Sequence, residues 1–110
     1  MEAFVKGEIV VISFPFSDFS SSKKRPALVV TSLKGNDLIL CQISSQESRD
    51  EYSIKLSQSD FKSGNLKNES NIRPNKLLTA DKSIILYKMG TITKTKLEES
   101  IEKICKILRE

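Results

Sequence analysis

Short apolar runs, separated by polar and turn-forming segments, recur along most of this chain. β-branched and aromatic residues dominate these runs, as is typical of strands in a sheet. Where apolar and polar residues alternate, the pattern indicates a strand with one face in water. The predicted strands are Glu8–Phe14, Pro26–Thr31, Leu38–Ser44, Tyr52–Leu56, Ser70–Asp81 and Ile84–Tyr87. Because Pro74 interrupts the fifth, we expect an edge strand or two short strands there.

Turn-forming residues connect the runs. Lys34–Asp37, Lys-Gly-Asn-Asp, is a tight-turn signal, so the third strand is expected to return antiparallel to the second. A longer serine-rich loop is predicted after Pro15, ending in three consecutive cations immediately before Pro26. Ser57–Lys62 is predicted as a single helical turn, ended by residues 63–65.

One helix is predicted, over Thr95–Arg109. Thr95 with Glu98 matches a capping box. The apolar residues along one face, expected to be buried, are Leu97, Ile101, Ile104, Cys105 and Leu108. Five or six short strands followed by one amphipathic helix predict a mainly β fold, a small, partly open antiparallel β-barrel with a C-terminal α-helix.

Length and charge place the chain in a broad class. Its 110 residues form one predicted domain, 1–110, and its net charge of +4 is mildly basic. The longest apolar runs fall short of the ~20 residues needed to cross a membrane. Since the N-terminus lacks the pattern of a signal peptide, we expect a cytoplasmic protein without a membrane partner.

The residues available for chemistry are restricted. The chain contains no histidine, which excludes Ser-His-Asp triads, Cys-His pairs, HExxH zinc sites and ribonucleases that use two imidazoles. Cys41 and Cys105 lie in apolar patterns without CxxC spacing, so both are predicted to be buried and neither indicates zinc or redox chemistry. We predict no metal or cofactor.

Four segments, in order along nearly the whole chain, resemble the MazF/PemK-type toxins of type II toxin–antitoxin systems. They are Gly7–Val11 (GEIVV), Arg25–Val30 (RPALVV), Cys41–Ser45 (CQISS), and Asn71–Pro74 (NIRP) with Lys76-Leu77. The chain departs from many members in its serine-rich first loop and in a serine at the position of their catalytic threonine.

The resemblance implies an SH3-like barrel, a homodimer, and a metal-independent endoribonuclease acting on single-stranded RNA, covered at its site by a cognate antitoxin. It assigns catalysis to Arg25 and to Ser44, with Ser45 as a substitute for Ser44. In the implied reaction, an RNA 2′-hydroxyl attacks the adjacent phosphate and leaves a cyclic phosphate. Arginine suits stabilisation of the transition-state charge, and Ser44 can donate to the same phosphate. The general base is left unnamed.

For several other residues, the sequence leaves two roles open. Lys23 and Lys24 are candidates for contacting RNA phosphates or for solubility, and Arg73 for contacting RNA or bracing the fold. Phe16 and Phe19 could stack on bases or fill the core. Arg25 could be a solvated cation, and Ser44 could bond only to backbone.

Two other functions remain open on the sequence alone. The same barrel could bind RNA or antitoxin without cleaving, as would follow if Ser44 pointed into the core. A CcdB-like toxin, which binds DNA gyrase, is the second alternative, although such a protein has no use for a phosphate-clamping pair of Arg25 and Ser44.

Overall fold

A single antiparallel sheet dominates the computed structural model, which describes residues 3–15, 22–45 and 51–110. The sheet curls into a half-barrel and one helix follows it, which confirms the predicted fold class. The seven strands stand in the order β4-β6-β3-β2-β1-β7-β5. Their bounds are β1 Glu8–Pro15, β2 Ser22–Ser32, β3 Asp37–Ser44, β4 Ile54–Leu56, β5 Phe61–Gly64, β6 Ser70–Asp81 and β7 Ile85–Ile92, and the helix α1 is Lys94–Leu108.

The predicted meander of the first three strands is confirmed, with one correction. β2 begins at Ser22, so Lys23, Lys24 and Arg25 lie in a strand and not in a loop. The physical reason is that β1 continues to Pro15 and holds them by pairing, with Ser13 opposite Lys24 and Ile12 opposite Arg25. The three cations are therefore attached to sheet backbone.

β6 is one strand of 12 residues and lies between β4 and β3, so the prediction of an edge strand or two short strands is wrong. Pro74 is accommodated by a shift in register. Gln42 pairs with Arg73, but its neighbour Cys41 pairs with Leu77, which leaves residues 74–76 in a bulge. Residues in a bulge are not all hydrogen-bonded to the neighbouring strand, so proline, which lacks an N–H, is tolerated there. The strand resumes beyond the bulge.

The sequence did not predict β5. The predicted helical turn is a 3₁₀ turn, Gln58–Asp60, capped by Ser57. The chain then continues into β5, which pairs with the end of β7 at Ser63 and Gly64. Correspondingly, β7 runs through Gly90 to Ile92 instead of ending before the glycine. Close backbone approach at two glycines makes this pairing possible.

The helix begins one residue earlier than predicted and has a different cap. Thr93 is the N-cap, and its Oγ1 accepts a hydrogen bond of 3.3 Å from the Lys96 N–H, so the predicted Thr95–Glu98 capping box is wrong. The buried positions are Ser100 and Ile104. Cys105 and Leu108 are exposed, contrary to prediction, because the buried stripe follows the side of the helix that carries Ser100. No helix among the described residues is long and apolar enough to span a membrane.

Apolar side chains pack on both faces of the β1–β3 meander. One cluster contains Ile9, Leu28, Cys41, Ile43, Ile54, Leu56, Ile72 and Ile92, with Leu97 of α1 packed against it. The other contains Val10, Ile12, Ala27, Val29, Leu38 and Leu40. Because burial of such side chains is the main stabilising term in folding, the meander is a well-packed base from which the ends of β2 and β3 project.

The two cysteines are expected to differ in reactivity. The Cys41 thiol is fully buried, donates to the Arg73 carbonyl oxygen at 2.9 Å, and has its pKa raised to about 12 by burial. Cys105 is exposed. Since the thiolate is the reactive form, a disulfide reagent near neutral pH should modify one thiol in the native protein and two in denaturant. Mass mapping to Cys41 in the native protein would contradict this assignment.

Candidate functional site

The start of β2 and the end of β3 bring most of the predicted site residues to one end of the sheet. Residues directly opposite each other on paired strands share a face, as do residues two apart on one strand. Ile12 is opposite Arg25, and Ala27 is opposite Gln42, so these residues share one face of the sheet. We call it the Ile12 face. The opposite side of the same strands, which carries Val11, is the Val11 face.

Arg25, Ser44 and Arg73 belong to the Ile12 face. Gln42 pairs with Arg73, and Ser44 lies two residues beyond Gln42. Arg25 likewise lies two residues before Ala27, so Arg25 and Ser44 extend from the same end of the β2–β3 pair. All three side chains are half-buried. The register thus gathers the two residues predicted to be catalytic, together with Arg73, on one face of three adjacent strands.

Lys24 and Ser45 belong to the Val11 face, where they line a cavity of about 470 Å³. Arg25 also contributes to its wall, so it stands at the boundary between the two faces. Ser44 and Arg73 do not line this cavity. The full lining comprises Val11, Lys24, Arg25, Pro26, Ile43, Ser45, Leu66, Lys67, Asn68, Ser70, Tyr87 and Met89.

Several residues of this cavity were not predicted from the sequence. Lys67 and Asn68 stand in a polar connection before β6, and Tyr87 is 53% exposed on β7. The sequence carries a weak signal for them, a second basic and polar segment after residue 62, but no pattern that relates it to Arg25. The pairing of β7 with β1, which sets Tyr87 opposite Val11, brings Tyr87 to the cavity, and the connection before β6 brings Lys67 and Asn68.

Three of the predicted residues fall wholly or partly outside what the structure describes. The backbone of Lys23 pairs with Phe14 in the β1–β2 ladder, but its side chain is not among the described ones. Phe16 and Phe19 lie outside the described residues, as do residues 46–50. Their suggested contacts to phosphates and bases stay predictions.

The charge around the cavity is positive. Lys24, Arg25 and Lys67 are in its wall, and none of its lining residues among those described carries a carboxylate. A cationic, partly apolar depression of this kind is suited to an anion attached to an apolar or aromatic group. The described residues hold no cluster of three or more His, Cys, Asp or Glu side chains that could bind a metal ion.

Comparison with known proteins relates nearly the whole chain to one family. The sequence model of the PemK-like, MazF-like toxins of type II toxin–antitoxin systems matches residues 5–108. No curated protein sequence is significantly similar to this chain.

Solved structures share the fold at low sequence identity. A mycobacterial endoribonuclease in complex with its cognate antitoxin is 12% identical, with a TM-score of 0.77 over 96% of this chain and 95% of that one. Another mycobacterial endoribonuclease is 12% identical, with a TM-score of 0.75 over 98% and 93% of the two chains. The Mycobacterium tuberculosis toxin MazF-mt6 is also 12% identical, with a TM-score of 0.68 over 91% and 96%.

Proposed function

Because this chain belongs to the PemK-like, MazF-like toxins of type II toxin–antitoxin systems, we propose that it is an endoribonuclease that cleaves single-stranded RNA. The observation that carries the proposal is the placement of Arg25 and Ser44 on one face, at the same end of the β2–β3 pair. A cationic cavity adjoins them. The endoribonucleases among the structurally similar proteins support the reaction class.

In the proposed reaction, the nucleophile belongs to the substrate. The RNA 2′-oxygen attacks the adjacent phosphorus, losing its proton, while the bond to the 5′-oxygen breaks and that oxygen takes up a proton. The products are a 2′,3′-cyclic phosphate and a 5′-hydroxyl. The protein therefore has to orient the phosphate and stabilise the additional negative charge of the transition state, and needs neither a serine nucleophile nor a metal ion.

Arg25 is the group that we assign to this charge. Its planar guanidinium presents several donors to phosphate oxygens and stays protonated at neutral pH. The position of Arg25 within β2, opposite Ile12, favours this role, since paired backbone fixes the point and direction from which its side chain leaves the sheet before the substrate arrives. Such preorganised donors stabilise a transition state without reorganisation during the reaction.

Ser44 is the hydroxyl that we assign to the same phosphate, because it shares the face of Arg25 while Ser45 belongs to the opposite face. Replacing Ser44 with alanine should lower the single-turnover cleavage rate by about tenfold to a hundredfold, the value of a hydrogen bond to a charged group. Ser45→Ala is the matched control and should retain most of the rate at saturating enzyme, where a weakened RNA contact does not lower single-turnover cleavage. A loss confined to Ser45→Ala would place the reacting phosphate on the Val11 face.

The proposal includes two protein partners and a compartment. One structurally similar endoribonuclease was solved with its cognate antitoxin, and we propose that an antitoxin also covers the site of this chain. We further propose a homodimer in the cytoplasm, as the family resemblance implies. In the RNA complex, Lys23, Lys24, Ser45 and Arg73 would contact the substrate around Arg25 and Ser44.

The direct test of the function compares one RNA in two forms. Purified protein is incubated with a long single-stranded RNA and with the same RNA annealed to its complement. The proposal predicts discrete cuts in the single strand and protection of the duplex, since paired and stacked bases cannot be splayed out for contact with this site. An intact single strand at concentrations where the protein is folded would favour the non-cleaving or gyrase-binding alternatives.

A further inference from the structure

We propose that the cavity on the Val11 face is a nucleobase subsite, in which Tyr87 stacks on an unpaired base of the nucleotide next to the cleaved phosphate. This inference rests on the proposed function and extends it, because such a subsite would set the sequence preference at one position of the RNA. Tyr87 would be the residue that provides the stacking surface, Lys24 and Lys67 would hold phosphate, and Asn68 would contact the edge of the base.

An apolar wall for a base is built into the sheet. Val11 pairs with Pro26 on one side and with Tyr87 on the other, so these three residues form one row across β2, β1 and β7. Met89, two residues along β7, extends the same face into the cavity. Val11 is 5% exposed, whereas Tyr87 is 53% exposed and is available for a flat ring to lie against it.

The rim of the cavity, in contrast to its apolar wall, carries polar groups. Lys24 and Lys67 are exposed cations, and the Asn68 side chain offers both a donor and an acceptor for the edge of a base. The Ser70 hydroxyl donates to the Asn68 carbonyl oxygen at 3.0 Å, which ties this connection to the start of β6. An aromatic wall beside a cationic rim is the combination that binds single-stranded nucleic acid.

The location of Arg25 connects this subsite to the chemistry. Arg25 shares the Ile12 face with Ser44, yet it also forms part of the cavity wall on the Val11 face. A strand held by Arg25 at its reacting phosphate would therefore cross the end of β2 and enter the cavity with the adjoining nucleotide. Stacking there would add affinity without contacting the reacting atoms.

Tyrosine fluorescence gives a direct test, because the chain has no tryptophan and two tyrosines, Tyr52 and Tyr87. In a Tyr52→Phe variant, Tyr87 is the single intrinsic fluorophore. Tyr52 donates to the Glu110 carboxylate at 2.9 Å and does not line the cavity, so this background leaves the subsite intact. The probe is a mixed-sequence 2′-O-methyl single-stranded oligoribonucleotide, which cannot react because its nucleophile is blocked. Saturable quenching is expected.

Affinity measurements with the same probe identify the contribution of the ring. Tyr87→Ala should weaken the Kd about tenfold to a hundredfold, the loss expected for one stacked base, while Tyr87→Phe should bind as the unsubstituted protein does. Leu86→Ala is the matched control. Leu86 is 47% exposed on the same strand but does not line the cavity, and its loss should leave the Kd unchanged.

Salt dependence tests the basic rim separately. Lys67→Gln should reduce the slope of log affinity against log salt by about 0.7, the contribution of one neutralised phosphate on a single strand. Lys62→Gln, which removes an exposed charge of β5 outside the cavity, should keep the original slope. Equal slopes in Lys67→Gln and the unsubstituted protein would remove Lys67 from the subsite.

The outcomes separate this inference from the proposed function. RNA cleavage by the unsubstituted protein, without quenching and with an unchanged Kd in Tyr87→Ala, would overturn the subsite and leave the nuclease standing. Such a result would favour a protein side chain as the occupant of the cavity. Quenching and a weakened Tyr87→Ala, without cleavage of unmodified RNA, would support the subsite and overturn the nuclease. A protein that does not bind RNA would overturn both.

Discussion

Replacing Arg25 with alanine is expected to slow RNA cleavage by about a hundredfold to a thousandfold, as does the loss of other well-aimed donors to a transition-state oxyanion. The effect should be on the chemical step, since Arg25 is assigned to charge that develops as the 2′-oxygen attacks. Single-turnover cleavage at saturating enzyme measures it. The Arg25 side chain is half-buried at one end of β2, so the variant should retain the thermal unfolding midpoint within a few degrees.

Two further substitutions distinguish the role of Arg25 from that of positive charge in general. Arg25→Lys keeps the charge but loses the planar fork, so it should recover only part of the rate. Arg109→Ala removes an exposed arginine just beyond α1 and should cleave normally. Normal cleavage by Arg25→Ala would show that Arg25 is not the charge-stabilising group, and equal losses in Arg25→Ala and Arg109→Ala would indicate a nonspecific effect of charge.

Replacing Gly64 with alanine is expected to lower the free energy of unfolding by at least about 3 kcal/mol. Gly64 has a φ of +90°, and a Cβ there would overlap the Met89 carbonyl oxygen and lie 2.5 Å from the Gly90 Cα. The neighbouring atoms are backbone and cannot move aside as a flexible side chain would. The substitution should therefore separate β5 from β7, as measured by denaturant unfolding.

Gly35→Ala is the control for the backbone conformation alone. Gly35 has a φ of +83°, but no atom lies within 4 Å of the position of its added Cβ. It should cost about 1–2 kcal/mol, the penalty of a left-handed conformation for a residue with a side chain. If Gly64→Ala were no more destabilising than Gly35→Ala, the close approach of β5 and β7 would not contribute to stability.

The sequence predicted the parts of the fold that depend on local patterns. Glu8–Phe14 and Leu38–Ser44 are continuous apolar or β-branched runs bounded by turn signals, and both strands form close to their predicted limits. The turn at residues 34–37 makes β3 return antiparallel to β2. Periodicity also placed the helix within one residue at either end.

The remaining elements depend on contacts between distant segments. β5 forms because Gly64 and Gly90 let two backbones approach closely. Nothing in the sequence around either glycine indicates that the other is its partner. Arg25 was expected in a loop because Pro26 suggested a strand beginning there, whereas pairing with β1 extends the strand past it. The local sequence pattern cannot show which residues will be hydrogen-bonded to a neighbouring strand.

The candidate site likewise contains residues that the sequence predicted and residues that it did not. Arg25 and Ser44 were selected from the sequence through a family resemblance, and strand register places both on one face. The opposite faces of the neighbouring Ser44 and Ser45 also follow from register. Tyr87 and Lys67 come to the cavity only through the pairing of β7 and the connection before β6, so no spacing along the chain identifies them.

The central claim, metal-independent cleavage by attack of the RNA 2′-hydroxyl, is tested most directly by mapping product ends in excess EDTA. Our account predicts discrete cuts in single-stranded RNA that leave 2′,3′-cyclic phosphates and 5′-hydroxyls, unaffected by the chelator. It also predicts that the same RNA with a 2′-deoxynucleotide on the 5′ side of the cut is not cleaved there. Cleavage abolished by EDTA, or products with 5′-phosphates, would contradict the account.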